Sequence, residues 1–197
     1  MENHYHFIIY KPFGYLSQFV NNGPKKRTKK LLGELGDFPE GTMAVGRLDE
    51  ASEGLLFLTT NGKVSNAICS GKYEKEYYAQ VDGDINEDAV LKLQQGVEIG
   101  FSGKKYMTKP CKAFKLKNSP NFPDRGRKIR DDRHGPTSWV SIILNEGKFR
   151  QVRKMTAAVG FPTLRLVRVR IGDCLLDGMA PSEIKQTEQL LNVDNLD

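Results

Sequence analysis

Asp49 is the acid in this chain with the surroundings of a chemical group. Residues 44–62 read A-V-G-R-L-D-E-A-S-E-G-L-L-F-L-T-T-N-G. Gly46 and Arg47 precede the aspartate, and Ser52, Glu53 and Gly54 follow it. The apolar run Leu55-Leu56-Phe57-Leu58, closed by Asn61-Gly62, reads as a buried strand. Asp49 is therefore expected on a loop that enters a core strand, which combines reach with rigidity. Gly46 and Gly54 let such a loop fold sharply or let a ligand approach the backbone. An ionised carboxylate there can act as nucleophile or base, and a nearby arginine favours the ionised form. The plainer alternative is a turn or capping aspartate with Arg47 as a local surface pair.

Two other stretches carry candidate groups. Lys75-Glu76-Tyr77 opens a strand-like run; by itself Tyr77 is a strand aromatic, with Tyr78 on the opposite face. Residues 146–155 read E-G-K-F-R-Q-V-R-K-M. Helical spacing over residues 149–159 puts Arg150, Arg153 and Lys154 on one face and Val152, Met155 and Val159 on a core stripe.

Charge points to a polyanion. The net charge is +6, and the basic residues cluster at Lys25-Lys26-Arg27 with Lys29-Lys30, at Arg125, Arg127, Lys128, Arg130 and Arg133, at Lys148 to Lys154, and at Arg165, Arg168 and Arg170. Four clusters in 197 residues favour a polyanionic partner over a merely solvated surface. A hydrophobic content of 39% with 27% charged residues fits a soluble globular chain with room for a sizeable core. No apolar run approaches membrane-spanning length, and the first residues carry no signal-peptide pattern, so a cytoplasmic location is expected. Cys69, Cys111 and Cys174 are isolated and lack metal-ligand spacing; reduced thiols and no metal are expected.

Short extended and helical segments must position these groups. Strands are predicted over residues 6–10, 75–81, 139–144 and 166–171, with two or three more between 97 and 116. Near the end of that stretch Phe114 and Leu116 alternate with Lys115 and Lys117. In residues 166–171, Val167, Val169 and Ile171 share one face and Arg168 and Arg170 the other. Helices are predicted over residues 29–35 (with Thr28 as cap), 63–70, 86–95 and 149–159, and one more helical turn from about residue 186. Residues 118–137, with Pro120, Pro123, Pro136 and many charges, read as a long basic loop. The class is α+β, a largely antiparallel sheet with helices packed on it, in one domain over 1–197 with a tail from 186 to 197.

The string G-R-L-D-x-x-S-x-G-L-L-x-L-T-x-x-G around Asp49 resembles the catalytic signature of the RNA pseudouridine synthases, in the branch that modifies ribosomal RNA. Lys11, Pro12 and Gly14 match that family's opening K-P-x-G. Lys75-Glu76-Tyr77 matches its K-x-Y, and residues 146–155 match its E-G-[KR]-x-[RH]-Q-[VI]-R-[RK]-M. The resemblance implies a bent mixed sheet in two lobes with a cleft between them. It implies Asp49 as catalytic aspartate, Tyr77 stacked on a flipped base, and Arg153 as partner of the aspartate. RNA contacts are expected from Lys11, Arg47, Lys75, Lys148, Arg150, Lys154, Arg168 and Arg170. Some relatives carry a small RNA-binding domain before the K-P-x-G strand, and here it is expected to be absent.

The implied reaction breaks the C1′–N1 bond of uridine, turns the base, joins C5 to C1′ and releases the C5 proton. Charge build-up at C1′ calls for a carboxylate, and proton loss for a base or a water path. The target base must leave its stack. No metal or organic cofactor is expected, because an isomerisation involves no net redox change or group transfer. The expected absence of the small RNA-binding domain and the wording S-E-G-L-L after the aspartate resemble the family members that act on 23S ribosomal RNA, so the resemblance implies 23S rRNA as partner, and a monomer is expected. A synthase acting on 16S rRNA or tRNA, and a catalytically silent RNA-binding assembly module, are the alternatives.

Overall fold

The computed structural model describes residues 4–20, 29–129 and 132–191. The Lys25-Lys26-Arg27 cluster, the expected cap Thr28, Arg130 and residues 192–197 lie outside them. In chain order the elements are β1 (His6–Lys11), β2 (Tyr15–Leu16), β3 (Lys30–Leu31), β4 (Met43–Val45), β5 (Glu53–Thr59), α1 (Gly62–Cys69), β6 (Lys75–Asp82), α2 (Glu87–Gln95), β7 (Glu98–Phe101), β8 (Lys104–Met107), β9 (Lys112–Lys115), β10 (Thr137–Leu144), α3 (Gln151–Ala158), β11 (Thr163–Ile171), β12 (Cys174–Leu175) and β13 (Ile184–Thr187). The class is α+β. The chain divides into two compact units: residues 1–73 with 168–197, and residues 74–167.

In the first unit, β1 pairs antiparallel with β13 on one side and with β5 on the other, and β4 pairs antiparallel with β5. All seven residues of β5 are buried, which is why its sequence is a continuous apolar run rather than an alternation. The helix expected over residues 29–35 is instead strand β3, parallel to β2, followed by a single 3-10 turn over Leu32–Glu34. Asn61-Gly62 closes β5 and opens α1, as read. The Asn61 side chain accepts from the Lys63 and Val64 N–H groups and caps α1. The helical turn expected from residue 186 is also corrected: Ile184–Thr187 is strand, registered on His6–Ile9.

The second unit builds its own core. β10 runs antiparallel to β6 and to β9, and β7 and β8 form a hairpin. α2 begins at Asn86, which accepts from Ala89 N–H, and stops at Gly96 with φ +95°. Ala89, Val90 and Leu93 of α2 and Val152 and Met155 of α3 pack with Ala79, Val81, Val140 and Ile142 of the strands. Of the alternation read in residues 114–117, Lys115 and Lys117 are exposed and Leu116 is half-buried as expected, but Phe114 is 46% exposed and Ala113 is the buried residue of β9. α3 starts at Gln151, two residues later than the spacing predicts. Arg150 precedes it in the left-handed region at φ +54° and so does not share a helix face with Arg153. Among the described residues, no helix is long and apolar enough to cross a membrane.

Candidate active site

The expected catalytic trio is divided between the two units: Asp49 belongs to the first, Tyr77 and Arg153 to the second. Asp49 is half-buried on the loop between β4 and β5, and its neighbours are tied down. Ser17 Oγ accepts from Leu48 N–H at 2.9 Å and donates to Leu48 O at 2.8 Å. Ser52 N–H donates to Asp49 O at 2.9 Å, closing a turn around the acid, and Gly14 N–H donates to Glu50 O at 2.8 Å. The Glu50 carboxylate pairs with Lys29. Gly46 takes φ +70° to admit the turn. The strand's rigidity thus reaches back through Ser52 and Glu53, both buried, to the aspartate.

Beneath this loop lies a group of buried charges. Lys11, at the end of β1, is 0% exposed and sits opposite Gly54 of β5, while Glu53 and Arg168 are 1% and 2% exposed. Lys11 Nζ donates to Pro12 O at 2.9 Å, and Arg168 Nε donates to Leu55 O at 2.7 Å. Burial pushes the Lys11 ammonium down to about 7; Glu53, Asp49 and Glu50 act against that shift and Arg168 adds to it. Lys11 and Arg168 were expected to touch RNA. Their burial removes them from the surface a phosphate backbone would meet, and it links both to the strand that carries the Asp49 loop. Arg170 stays half-buried with its guanidinium on Gly172 O at 2.7 Å, and Arg47 is exposed.

In the second unit, Tyr77 lies on β6 opposite Ile142 and packs half-buried against the core. Tyr78, on the other face, faces Phe122, whose ring also meets Trp139 at 5.6 Å between centroids. Residues 118–129 therefore do not hang free. Arg165 stacks over Phe122 at 5.5 Å and donates to Pro123 O at 2.8 Å. Arg153 is half-buried on α3 and donates to Thr163 O at 3.3 Å.

The turn before α3 is built on Glu146. Its carboxylate accepts from Tyr106 OH at 2.6 Å, from Lys109 N–H at 2.9 Å and from Gln151 Nε2 at 2.6 Å. Gln151 Oε1 accepts in turn from Lys148 N–H at 2.9 Å. Burial works to raise the Glu146 carboxyl, but these three donors and the Lys148 charge outweigh it and hold it below the ordinary carboxylate value. The same hydrogen bond raises the Tyr106 phenol. Sequence reasoning placed Glu146 in a motif without giving it this role. It missed Ser17 altogether, and no periodicity could have announced a lone serine thirty-one residues from its partner.

Among the described residues, no group of three or more His, Cys, Asp and Glu side chains is placed to hold a metal ion. The cysteines are free thiols, Cys69 exposed and the other two half-buried.

Comparison with known proteins bears on what such an arrangement is for. Residues 4–158 match the family model described as RNA pseudouridylate synthase. A protein of Xanthomonas axonopodis pv. citri named ribosomal large subunit pseudouridine synthase E is 40% identical over 177 residues, covering 88% of this chain and 89% of that protein. A protein of the same name from Vibrio parahaemolyticus is 37% identical, covering 95% of this chain and 76% of that one. A crystal structure of a pseudouridylate synthase superposes with a TM-score of 0.71 at 27% identity, covering 95% of this chain and 71% of that chain. With the family model spanning most of its length and the Asp49 signature intact within it, this chain belongs to the RNA pseudouridylate synthase family.

Proposed function

We propose that this enzyme converts a uridine of large-subunit (23S) ribosomal RNA to pseudouridine, with Asp49 as the group acting on the reacting nucleotide. The observation that carries the role of Asp49 is its setting: a half-buried carboxylate on a loop fixed by Ser17, Gly14 and Ser52. Such fixing supplies the preorganised geometry that a reaction at C1′ demands. The large-subunit target is supported by the names of the relatives from Xanthomonas and Vibrio.

In this reading Tyr77 stacks on the extruded uracil and Arg153 pairs with the Asp49 carboxylate through its planar fork. Arg47, Lys75, Lys148, Arg150, Lys154 and Arg170 take phosphates, whereas Lys11 and Arg168 support the aspartate loop from within. The balance is internal to the substrate: the C1′–N1 bond breaks, C1′–C5 forms, the C5 proton leaves and N1 gains one. The RNA substrate implies a cytoplasmic enzyme, and a monomer suffices for it.

The test is release of tritium from 23S rRNA transcribed with 5-tritiated uridine. Wild type should release it and Asp49→Asn should not. Equal release by both would remove Asp49 from the chemistry. Release from 16S rRNA or tRNA alone would reassign the target, and retained RNA binding without release from any RNA would make the chain a binding module.

A further inference from the structure

Phe149 stands in solvent, 67% exposed, in the turn that joins β10 to α3. A single exposed aromatic is ordinary; the surroundings of this one are not. Lys148 and Arg150 flank it, and Lys154 Nζ lies 5.3 Å from its ring centroid. Lys154 is itself steadied by donating to Gly100 O at 2.7 Å, and Lys148 Nζ lies 5.1 Å from the Tyr106 ring centroid. Glu146 is the sole acid of residues 145–155, and its two carboxylate oxygens are engaged by Tyr106, Lys109 N–H and Gln151. Residues 145–155 themselves therefore carry a net positive charge around the ring.

The turn is also held in shape. The Glu146–Gln151–Lys148 bonds tie both ends of the turn, and Arg150 enters the left-handed region just before α3. An exposed ring on a fixed turn among cations matches the chemistry of an unpaired nucleotide, which offers a flat base and a phosphate on either side. Every base has a face to stack, so such contacts tolerate sequence while demanding a single strand.

We propose that Phe149 is a stacking platform for a single-stranded nucleotide of the RNA substrate, other than the one that reacts, with Lys148, Arg150 and Lys154 taking the adjacent phosphates. The proposal rests on the reading of the chain as one that acts on RNA. It adds a position at which the enzyme distinguishes open from paired RNA.

Two measurements test it. First, Phe149→Trp places an indole at the platform, while the native Trp139 is only 7% exposed and supplies a steady background. Short single-stranded ribonucleotides should quench the new fluorescence, and a duplex of equal phosphate count should not. Equal quenching by both, or none, would overturn the platform. This arm needs no turnover, so it decides the point even if wild type releases no tritium. Second, Phe149→Ala should raise KM for the rRNA transcript roughly five- to hundredfold, the range expected for one lost stack, with kcat changing by less. Phe149→Tyr should restore KM. An unchanged KM in Phe149→Ala beside an active wild type would sink the inference and leave the proposed function standing.

Discussion

Ser17 and Leu48 exchange two hydrogen bonds, with the serine hydroxyl serving both backbone groups of the residue that immediately precedes Asp49. Both residues are buried, so water cannot replace the hydroxyl. Ser17→Ala should lower unfolding stability by about 1–3 kcal/mol, the cost of leaving buried backbone groups unmet. It should also slow tritium release more than it weakens RNA binding. Urea unfolding and single-turnover kinetics check both; an unchanged urea midpoint would show that the loop is held by other means.

Lys11 gives a pH signature of its own. Its folded value of about 7 lies below the ordinary 10.5. Between those values the unfolded chain holds a proton that the folded chain has released, so this residue makes stability rise with pH across that window. Below about 7 the charged head bears its full burial cost. The unfolding free energy of wild type minus that of Lys11→Met should climb from pH 7 to pH 10. A flat difference would mean that the ammonium is not desolvated as the structure describes.

Glu146 should act in the opposite range. Its carboxyl is held below the ordinary value, so it contributes stability that is present above about 4.5 and lost as pH falls through its folded value. Glu146→Gln should therefore be less stable than wild type at pH 7, and the gap should shrink as pH falls below about 4.5. A stability gap independent of pH would assign the loss to shape rather than to charge.

Arg165 pins the 118–129 segment through Phe122 and Pro123. Arg165→Ala should expose Arg125, Arg127 and Lys128 to trypsin, with cleavage there accelerating severalfold ahead of global digestion. Phe122→Ala should reproduce the effect without removing a charge. Resistance in both variants would show that the segment is fastened elsewhere, with Arg125 on Leu164 O the next contact to remove.

The local chemistry of the chain was legible wherever it was self-contained. Asn86 and Gly96 announced both ends of α2, and the Asp49 loop announced its strand. Asn61-Gly62 marked the end of the buried strand as read, and the Asn61 side chain also caps the helix that follows. The strand Ile184–Thr187 has no strong pattern of its own and exists because β1 offers it an edge. Alternation in β11 rightly separated Arg168 from Val167, yet alternation reports a face and not its wetness; Arg168 is buried with its Nε on Leu55 O. Arg150 was counted on a helix that starts two residues later than the spacing predicts, after its left-handed backbone. The roles of Ser17 and Glu146 depend on partners 31, 37 and 40 residues away, beyond any window read along the chain.

The first unit is discontinuous, made of residues 1–73 and 168–197, whereas residues 74–167 are consecutive. During synthesis the consecutive unit can complete its core as soon as it leaves the ribosome, while β1 must wait for β13 before its outer edge is paired. The loop that carries Asp49 is thus translated before the consecutive unit and framed after it. Nascent chains that stop near residue 167 are expected to hold a folded Tyr77 and Arg153 half beside an unfinished Asp49 half. The loop that carries Asp49 is thereby framed only after β13 has been made.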